Sequence, residues 1–334
     1  MKVISISGIF LAFSFAPAMA ESGNGWVSYP GGKGPGAGKH IVLLAGDEEY
    51  RSEEALPMLG KILSERHGFK CTVLFSADDD GTINPNRGES VCRPETLDSA
   101  DAIIMSLRFR KWPDEAMKHL DDAVKRNIPI VGLRTSTHAF QLPGSSEFKH
   151  YNQFGKNVLG EQWVSHWGRH KGEATRGVIE QANAKNPLLT GVTDVFGDTD
   201  VYEVYPPDDA TILLRGAVLK GMAPTDEPAA YEKKRAKDGQ TQDVNTPMMP
   251  LAWLREVPND GGGKNKVFCT TMGSSTDLES EGLRRLVVNS VYWGLGMEVP
   301  EKADVTYVGE FEPTDYSFNG FAKGVKASDH ELKK

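Results

Sequence analysis

A chain of 334 residues with 46 acidic and 38 basic side chains carries a formal charge of −8. With few basic clusters, that balance argues against nucleic-acid binding and against adhesion to an anionic membrane surface. Three cysteines (Cys71, Cys92 and Cys269) are too few for a disulfide scaffold and too scattered for a zinc knuckle. Buried thiols are expected, with one disulfide between any two of them left open.

Residues 1–20 have the pattern of a cleavable export signal. Lys2 is their lone charge, an apolar run extends from Ile4 to Phe15, and Ala18-Met19-Ala20 has the small-x-small form of a cleavage site. The run is too short to span a bilayer. The expectation is a chain cut after Ala20, periplasmic or secreted, with no membrane contact once the signal is removed. Residues 21–39, with Gly31, Gly32, Gly34, Gly36 and Gly38, are expected to be a linker. The Gly34–Lys39 run is not a phosphate loop, because no Ser or Thr follows Lys39 and the segment precedes a strand.

Alternation begins at residue 40. Residues 40–45 form an apolar strand, and 52–67 a helix with Ser52 as N-cap and Leu56, Leu59, Ile62 and Leu63 on one face. Residues 70–75 form a second strand. The polar loop 76–93 follows, and its Asp78-Asp79-Asp80-Gly81 cluster lacks the later glutamate of a calcium loop, so it reads as a turn. A third strand at 101–107, a helix at 113–127 with Pro113 in its first turn, and a fourth strand at 128–133 complete the half. Continuous apolar strands separated by helices imply a parallel sheet covered on both faces. In such sheets ligands bind beyond the carboxyl ends of the strands. The fourth strand delivers Arg134, Thr135, Ser136 and His138 to that end, and Arg134 stands where a strand–turn–helix hydrolase carries its nucleophile.

The second half is less regular. Short strands are expected at 177–179 and 200–204, longer ones at 211–218, 249–256 and 266–271, and a closing amphipathic helix at 278–295. Residues 220–247 are too polar to pack and read as a long loop joining two strands. The tail from residue 299 carries Tyr307, Phe311, Tyr316, Phe318 and Phe321 among charges, and should lie against the domain through those rings. One α/β domain over 40–298 is therefore expected.

Several motifs, taken in order, carry a resemblance. The strand Pro129-Ile130-Val131-Gly132-Leu133 before Arg134 resembles the strand and elbow of the class I glutamine amidotransferase-like superfamily. Asp200-Val201-Tyr202-Glu203, Pro250-Leu251-Ala252-Trp253, Lys266-Val267-Phe268 up to Gly273, and the helix bearing Asn289 and Trp293 resemble strands and the closing helix of the ThuA-like (trehalose utilisation) family. The resemblance spans roughly residues 39–297. It implies a flavodoxin-like parallel sheet with helices on both faces, plus a long loop insertion and an extended C-terminal tail, and a role in carbohydrate utilisation. Two departures limit what it implies. The amidotransferase cysteine is replaced by Arg134, and no His-x-Glu follows the late strand, so glutaminase activity is not expected. The family's elbow histidine and late Gly-His pair are replaced by Arg134 and Gly273-Ser274.

The strand ends nominate the site. Asp47, Glu48 and Tyr50 follow the first strand, Arg108 the third, Arg134 and Thr135 the fourth, and Ser274 and Asp277 the last. Arginine forks, carboxylates and hydroxyls over one crevice suit a hydroxyl-rich or anionic ligand. The alternative is that Arg108 and Arg134 merely pair with Asp47 or Glu48. His138 is a polar wall or a base. His166 and His170, four apart in a segment weakened as a helix by Gly168, flank the cleft with Trp167, which could grip a sugar ring. Strand alternation sets Tyr202 on one face and Glu203 on the other.

The expected protein thus binds a small carbohydrate. If it is an enzyme, it isomerises or hydrolyses a sugar or keto-sugar by acid–base chemistry of His138, His166 or Glu203, with Arg134 and Arg108 stabilising oxyanions. No cofactor is expected. A divalent metal enters only in the alternative of a metal-dependent hydrolase using His166 and His170, with Asp47 or Glu203 as candidate third ligand. A non-catalytic carbohydrate-binding or scaffold protein is the other alternative. Homo-oligomerisation is left open.

Overall fold

The computed structural model describes residues 20–332; the export signal expected at 1–20 lies, apart from Ala20, outside the described residues. The chain runs through β1 (Glu21–Gly23), β2 (Trp26–Tyr29), β3 (His40–Gly46), α1 (Ser52–His67), β4 (Lys70–Phe75), β5 (Ala102–Leu107), α2 (Asp114–Lys125) and β6 (Ile130–Leu133). An insertion then carries β7 (Ser165–His166), β8 (Thr175–Ile179), β9 (Phe196–Gly197), β10 (Tyr202–Glu203), β11 (Thr211–Val218), β12 (Glu232–Lys234), β13 (Thr241–Asp243) and β14 (Met249–Pro258). The chain returns to the sheet centre with β15 (Lys264–Thr270) and closes with α3 (Glu281–Gly294).

Five strands are parallel, in the spatial order β4-β3-β5-β6-β15. Numbered by their sequence order, this is the 2-1-3-4-5 arrangement of flavodoxin-like folds, whose switch point lies between β3 and β5. The sheet is mixed rather than wholly parallel, because β14, β11, β8 and β9 extend one side antiparallel and β2 pairs antiparallel with β4 on the other. Alternate residues of β3 serve the two faces. Ile41 and Leu43 join the core under α1 and α3, while Val42 and Leu44 join the core under α2.

Several expectations need correction. Residues 21–39 are not simply a linker: Val27 and Tyr29 are fully buried, and β2 continues the sheet. Two apolar side chains alternating among polar ones suffice for an edge strand, and the glycines follow it. Residue 52 is not the cap of α1. Arg51 holds that position in the left-handed region at φ 59°, and the Ser52 hydroxyl accepts from the Asp47 amide at 3.0 Å. Residues 200–204 contribute only the two-residue β10, which leaves the main sheet and pairs with β7. Residues 220–247 do connect β11 to β14, yet they pack. They form the β12–β13 hairpin, and Ala229 and Val244 are buried. The three thiols are free; Cys71 and Cys269 lie in β4 and β15, separated by three strands and so out of disulfide reach.

At the end of β6 the chain turns sharply, with Arg134 at φ 38°, into a 3-10 turn over Arg134–His138. The elbow geometry is retained without its nucleophile. The tail from residue 299 lies on the domain: Tyr316 and Phe321 are buried, and the Tyr29 hydroxyl donates to the His330 carbonyl at 2.9 Å.

Glu53, in the first turn of α1, is buried, and neither carboxylate oxygen has a partner. Burial pushes its carboxyl from the ordinary 4.5 up to about 8. The folded protein therefore keeps a proton that the unfolded chain has released, so this group costs stability progressively as pH rises from its unfolded value through about 8. Glu53→Gln is expected to be more stable than the parent by on the order of a few kcal/mol near pH 9, with the gap closing in acid. Urea unfolding of both proteins across that range checks it.

Candidate functional site

The carboxyl ends of β3, β5 and β6 meet the turn after β15, and the insertion supplies a wall. Asp47, fully buried, accepts the Glu49 and Tyr50 amides at 2.7 and 2.9 Å and the Thr135 hydroxyl on its second oxygen. It closes the turn after β3. Glu48, one residue on, pairs with both Arg108 and Arg110, the latter at 2.8 Å. The expectation that an arginine would neutralise the rim is met by Arg108, at Glu48.

Arg134 is 0 % exposed. Its guanidinium donates to the Asp200 and Thr271 carbonyls at 3.0 and 2.8 Å, to the Tyr50 hydroxyl at 3.1 Å, and to the Asp200 carboxylate at 3.3 Å. It lies between two aromatic faces, 4.2 Å from the Tyr50 ring centre and 4.4 Å from that of Tyr202. Arg134 is thus no open wall for a ligand. Four donor contacts from its two terminal nitrogens and two ring faces hold a desolvated cation whose Nε has no partner, and they engage both Tyr50 and Tyr202.

The buried carboxylate of Asp200 carries the histidines. Its Oδ2 lies 2.8 Å from His166 Nδ1 and its Oδ1 lies 3.1 Å from His170 Nδ1. The far nitrogen of His170 reaches Glu49 at 3.3 Å. The imidazole rings are 4.6 Å apart, with side chains 35 % and 29 % exposed. Burial alone would raise the Asp200 carboxyl, but the His166 and His170 bonds and the Arg134 charge hold it well below the ordinary range. The bonds to Asp200 and then Glu49 lift the His170 ring to about 9. Local structure explains the meeting. β7 pairs with β10 so that His166 faces Tyr202 in register, and the chain then turns over Asp200 at Gly168. A Cβ on Gly168 would come within 3.0 Å of the Asp200 Cβ, closer than side chains pack.

One ligand atom each from His166, His170 and Asp200 lies within 4.8 Å of the others. Two imidazoles and a carboxylate form a donor set suited to zinc or another divalent transition metal, and three protein ligands leave coordination positions open. The Glu49–His170 contact matches the carboxylate that orients a metal-bound histidine. The donor set therefore fits a divalent cation. Neither Asp47 nor Glu203, the third ligands considered from sequence, takes part.

His138 stands beside this group. Its ring lies 4.9 Å from Phe109 and 5.3 Å from Trp163, and Trp163 lies 5.7 Å from His166. Burial, then the Arg108 and Arg134 charges, push its imidazole well below the ordinary value, so it is neutral. The Thr137 hydroxyl donates to the Arg134 carbonyl at 3.2 Å, so its remaining lone pair faces His138 Nδ1 at 3.2 Å.

The other nominated residues are structural. Glu203 is buried and accepts Ser165, Tyr205 and the amides of Ala236 and Lys237 between 2.8 and 3.0 Å. Against the effect of burial, those bonds hold its carboxyl low, so it ties down the insertion and is no acid or base. Trp167 is fully buried with its indole N–H on the Val244 carbonyl at 2.7 Å, a core anchor and not a sugar platform. Asp277 accepts the Gly273 and Ser274 amides and the Thr199 hydroxyl, and with Ser274 it is fully buried in the closing turn. Asp200 was not expected as a partner of His166 and His170, nor Glu49 as a partner of His170. Asp200 lies in the family-like segment but carries no local signal for ligation, since its partners are 30 and 34 residues away.

No protein-family model and no curated protein matches the chain. Among solved structures it is similar to a ThuA-like protein from Parabacteroides merdae, at 13% identity and a TM-score of 0.50, covering 78% of this chain and 92% of that one. It is also similar to a ThuA-like protein from Bacteroides uniformis, at 15% identity and a TM-score of 0.48, covering 81% and 96%. At these identities the likeness is one of fold alone.

Replacing Arg134 strands Asp200 and removes the cation between two rings. Arg134→Met is expected to cost about 3–5 kcal/mol in denaturant unfolding. His166→Ala, at a half-exposed position, should cost under about 1 kcal/mol.

Proposed function

We propose that the protein binds a divalent metal through His166, His170 and Asp200 and uses that site on a carbohydrate. The convergence of both imidazoles on one buried carboxylate, at the end of the sheet where such folds bind ligands, is the observation that supports this reading. A cation held there would act as a Lewis acid on a sugar hydroxyl or carbonyl oxygen. The chain supplies the rest. Arg134 holds Asp200 ionised and in place, and Glu49 fixes the His170 ring. His138, kept neutral by burial and the nearby arginine charges, offers a ring that can accept a proton from the substrate. Arg108 and Glu48, beyond Phe109 from His138, add a donor and an acceptor. Isomerisation or hydrolysis of a keto-sugar is the class of reaction these groups suit.

Chelator-treated full-length protein should take up one equivalent of Zn²⁺ or Mn²⁺ in calorimetry and melt later with metal present, by about 2.7 kcal/mol at a hundredfold excess over Kd. His166→Ala and His170→Ala should lose that uptake, and Glu49→Gln should weaken it at least about tenfold. Equal thermal stability with and without either metal, and no uptake, would sink the proposal.

A further inference from the structure

The tail delivers an aromatic side chain to the mouth of this site, and it is clamped there. Arg51, fully buried, donates to the Thr314 hydroxyl, the Asp315 carbonyl and the Ser317 hydroxyl, each at 3.1 Å. Glu54 accepts the Thr314 amide and hydroxyl at 2.9 and 2.6 Å. Between these anchors Tyr316 stacks on Tyr50 with ring centres 5.0 Å apart and stands 5.7 Å from His170. Its hydroxyl donates to the Asp198 carbonyl at 3.2 Å. The strap passes so close to Arg51 that a Cβ on Gly320 would collide with the guanidinium. The left-handed residue of the cap of α1 is thus also the bolt of the strap.

Phe318, two residues beyond Tyr316, is 53 % exposed. Single exposed aromatics are ordinary, so exposure by itself carries nothing. Its position does. The Arg108 guanidinium lies 4.9 Å from the Phe318 ring centre and 4.8 Å from that of Phe109. Phe109 in turn touches His138, which connects through Trp163 and His166 to His170, and His170 meets Tyr316 on the strap. The ring contacts therefore run from one end of the strap around the site to the other. Tyr316 and Phe318 are the strap residues that meet the two ends of this chain of rings, at His170 and at Arg108.

We propose that the strap is a wall of the substrate site and that Phe318 is the face on which a neutral, hydroxyl-bearing sugar ring stacks. The inference rests on the carbohydrate reading above. The C–H face of a pyranose is apolar and matches an exposed phenyl ring, whereas its edge needs donors and acceptors. Arg108 and Glu48 supply both beside that ring, and because they already neutralise each other they suit hydroxyls better than a carboxylate. Phe318 is thus a specificity-determining residue that touches the substrate away from the metal ligands.

The test uses full-length wild type, Phe318→Ala and Phe318→Trp with methyl glucoside, methyl galactoside and glucuronate, by saturation-transfer NMR and titration, with and without Mn²⁺. A neutral glycoside should bind the wild type, weaken about tenfold in Phe318→Ala and recover in Phe318→Trp. Metal uptake should be the same in all three proteins. Equal affinity of wild type and Phe318→Ala, preference for glucuronate, or no binding of either neutral glycoside overturns the assignment. Dependence on Phe318 with no effect of Mn²⁺ would retire the metal reading and leave the strap standing.

Discussion

One buried carboxylate holds the site together. Asp200 has no exposure to speak of, yet it stays ionised because Arg134 lies beneath it and two imidazoles close over it. A lone carboxylate in that position would take up a proton rather than bear the cost of desolvation. The arginine at the β6 elbow is therefore not an absent nucleophile with an idle replacement. It is the counter-charge that permits an anionic carboxylate to sit beneath a partly exposed histidine pair.

The packing around Arg134 shows why that arrangement is rigid. Its guanidinium makes four hydrogen-bond contacts and faces two tyrosine rings. Tyr50 belongs to the turn after β3, Thr271 follows β15, and Asp200 and Tyr202 belong to the insertion. One side chain thus joins the two centres of the parallel sheet to the added half. The insertion is secured again at Glu203, which gathers Ser165, Tyr205 and two amides of the segment after β12. A geometry held at both ends suits metal ligation, since ligands drawn from loops need support from a second layer of contacts.

The division between structural and accessible residues runs against residue chemistry. Trp167, Glu203, Ser274, Asp277 and Arg134 have the side chains of an active site, but all are buried and bonded to the protein around them. His166, His170, Arg108, Glu48 and Phe318 remain within reach of solvent. A residue type states what a side chain can do. Burial and the number of its bonds already made decide whether it is available to a ligand.

The continuous apolar runs at β3, β4, β5 and β6 and the amphipathic faces of α1, α2 and α3 were legible in the sequence, because strand and helix periodicities are local. So was the sheet end at which polar side chains gather, since the β3, β5 and β6 ends carry polar residues straight after apolar strands. The pairing of β7 with β10 was not legible, nor was the meeting of His166 and His170 with a carboxylate some thirty residues away. Two-residue strands have no periodicity to read, and a contact over that separation depends on how the insertion folds back. Nor did the tail's aromatics say which would be buried, as Tyr316 is, and which left exposed, as Phe318 is. The sequence by itself determined the sheet, its helices and the end at which chemistry would gather. Only the tertiary structure decided which of the gathered groups became supports and which stayed open, because that depends on contacts between segments distant in the chain.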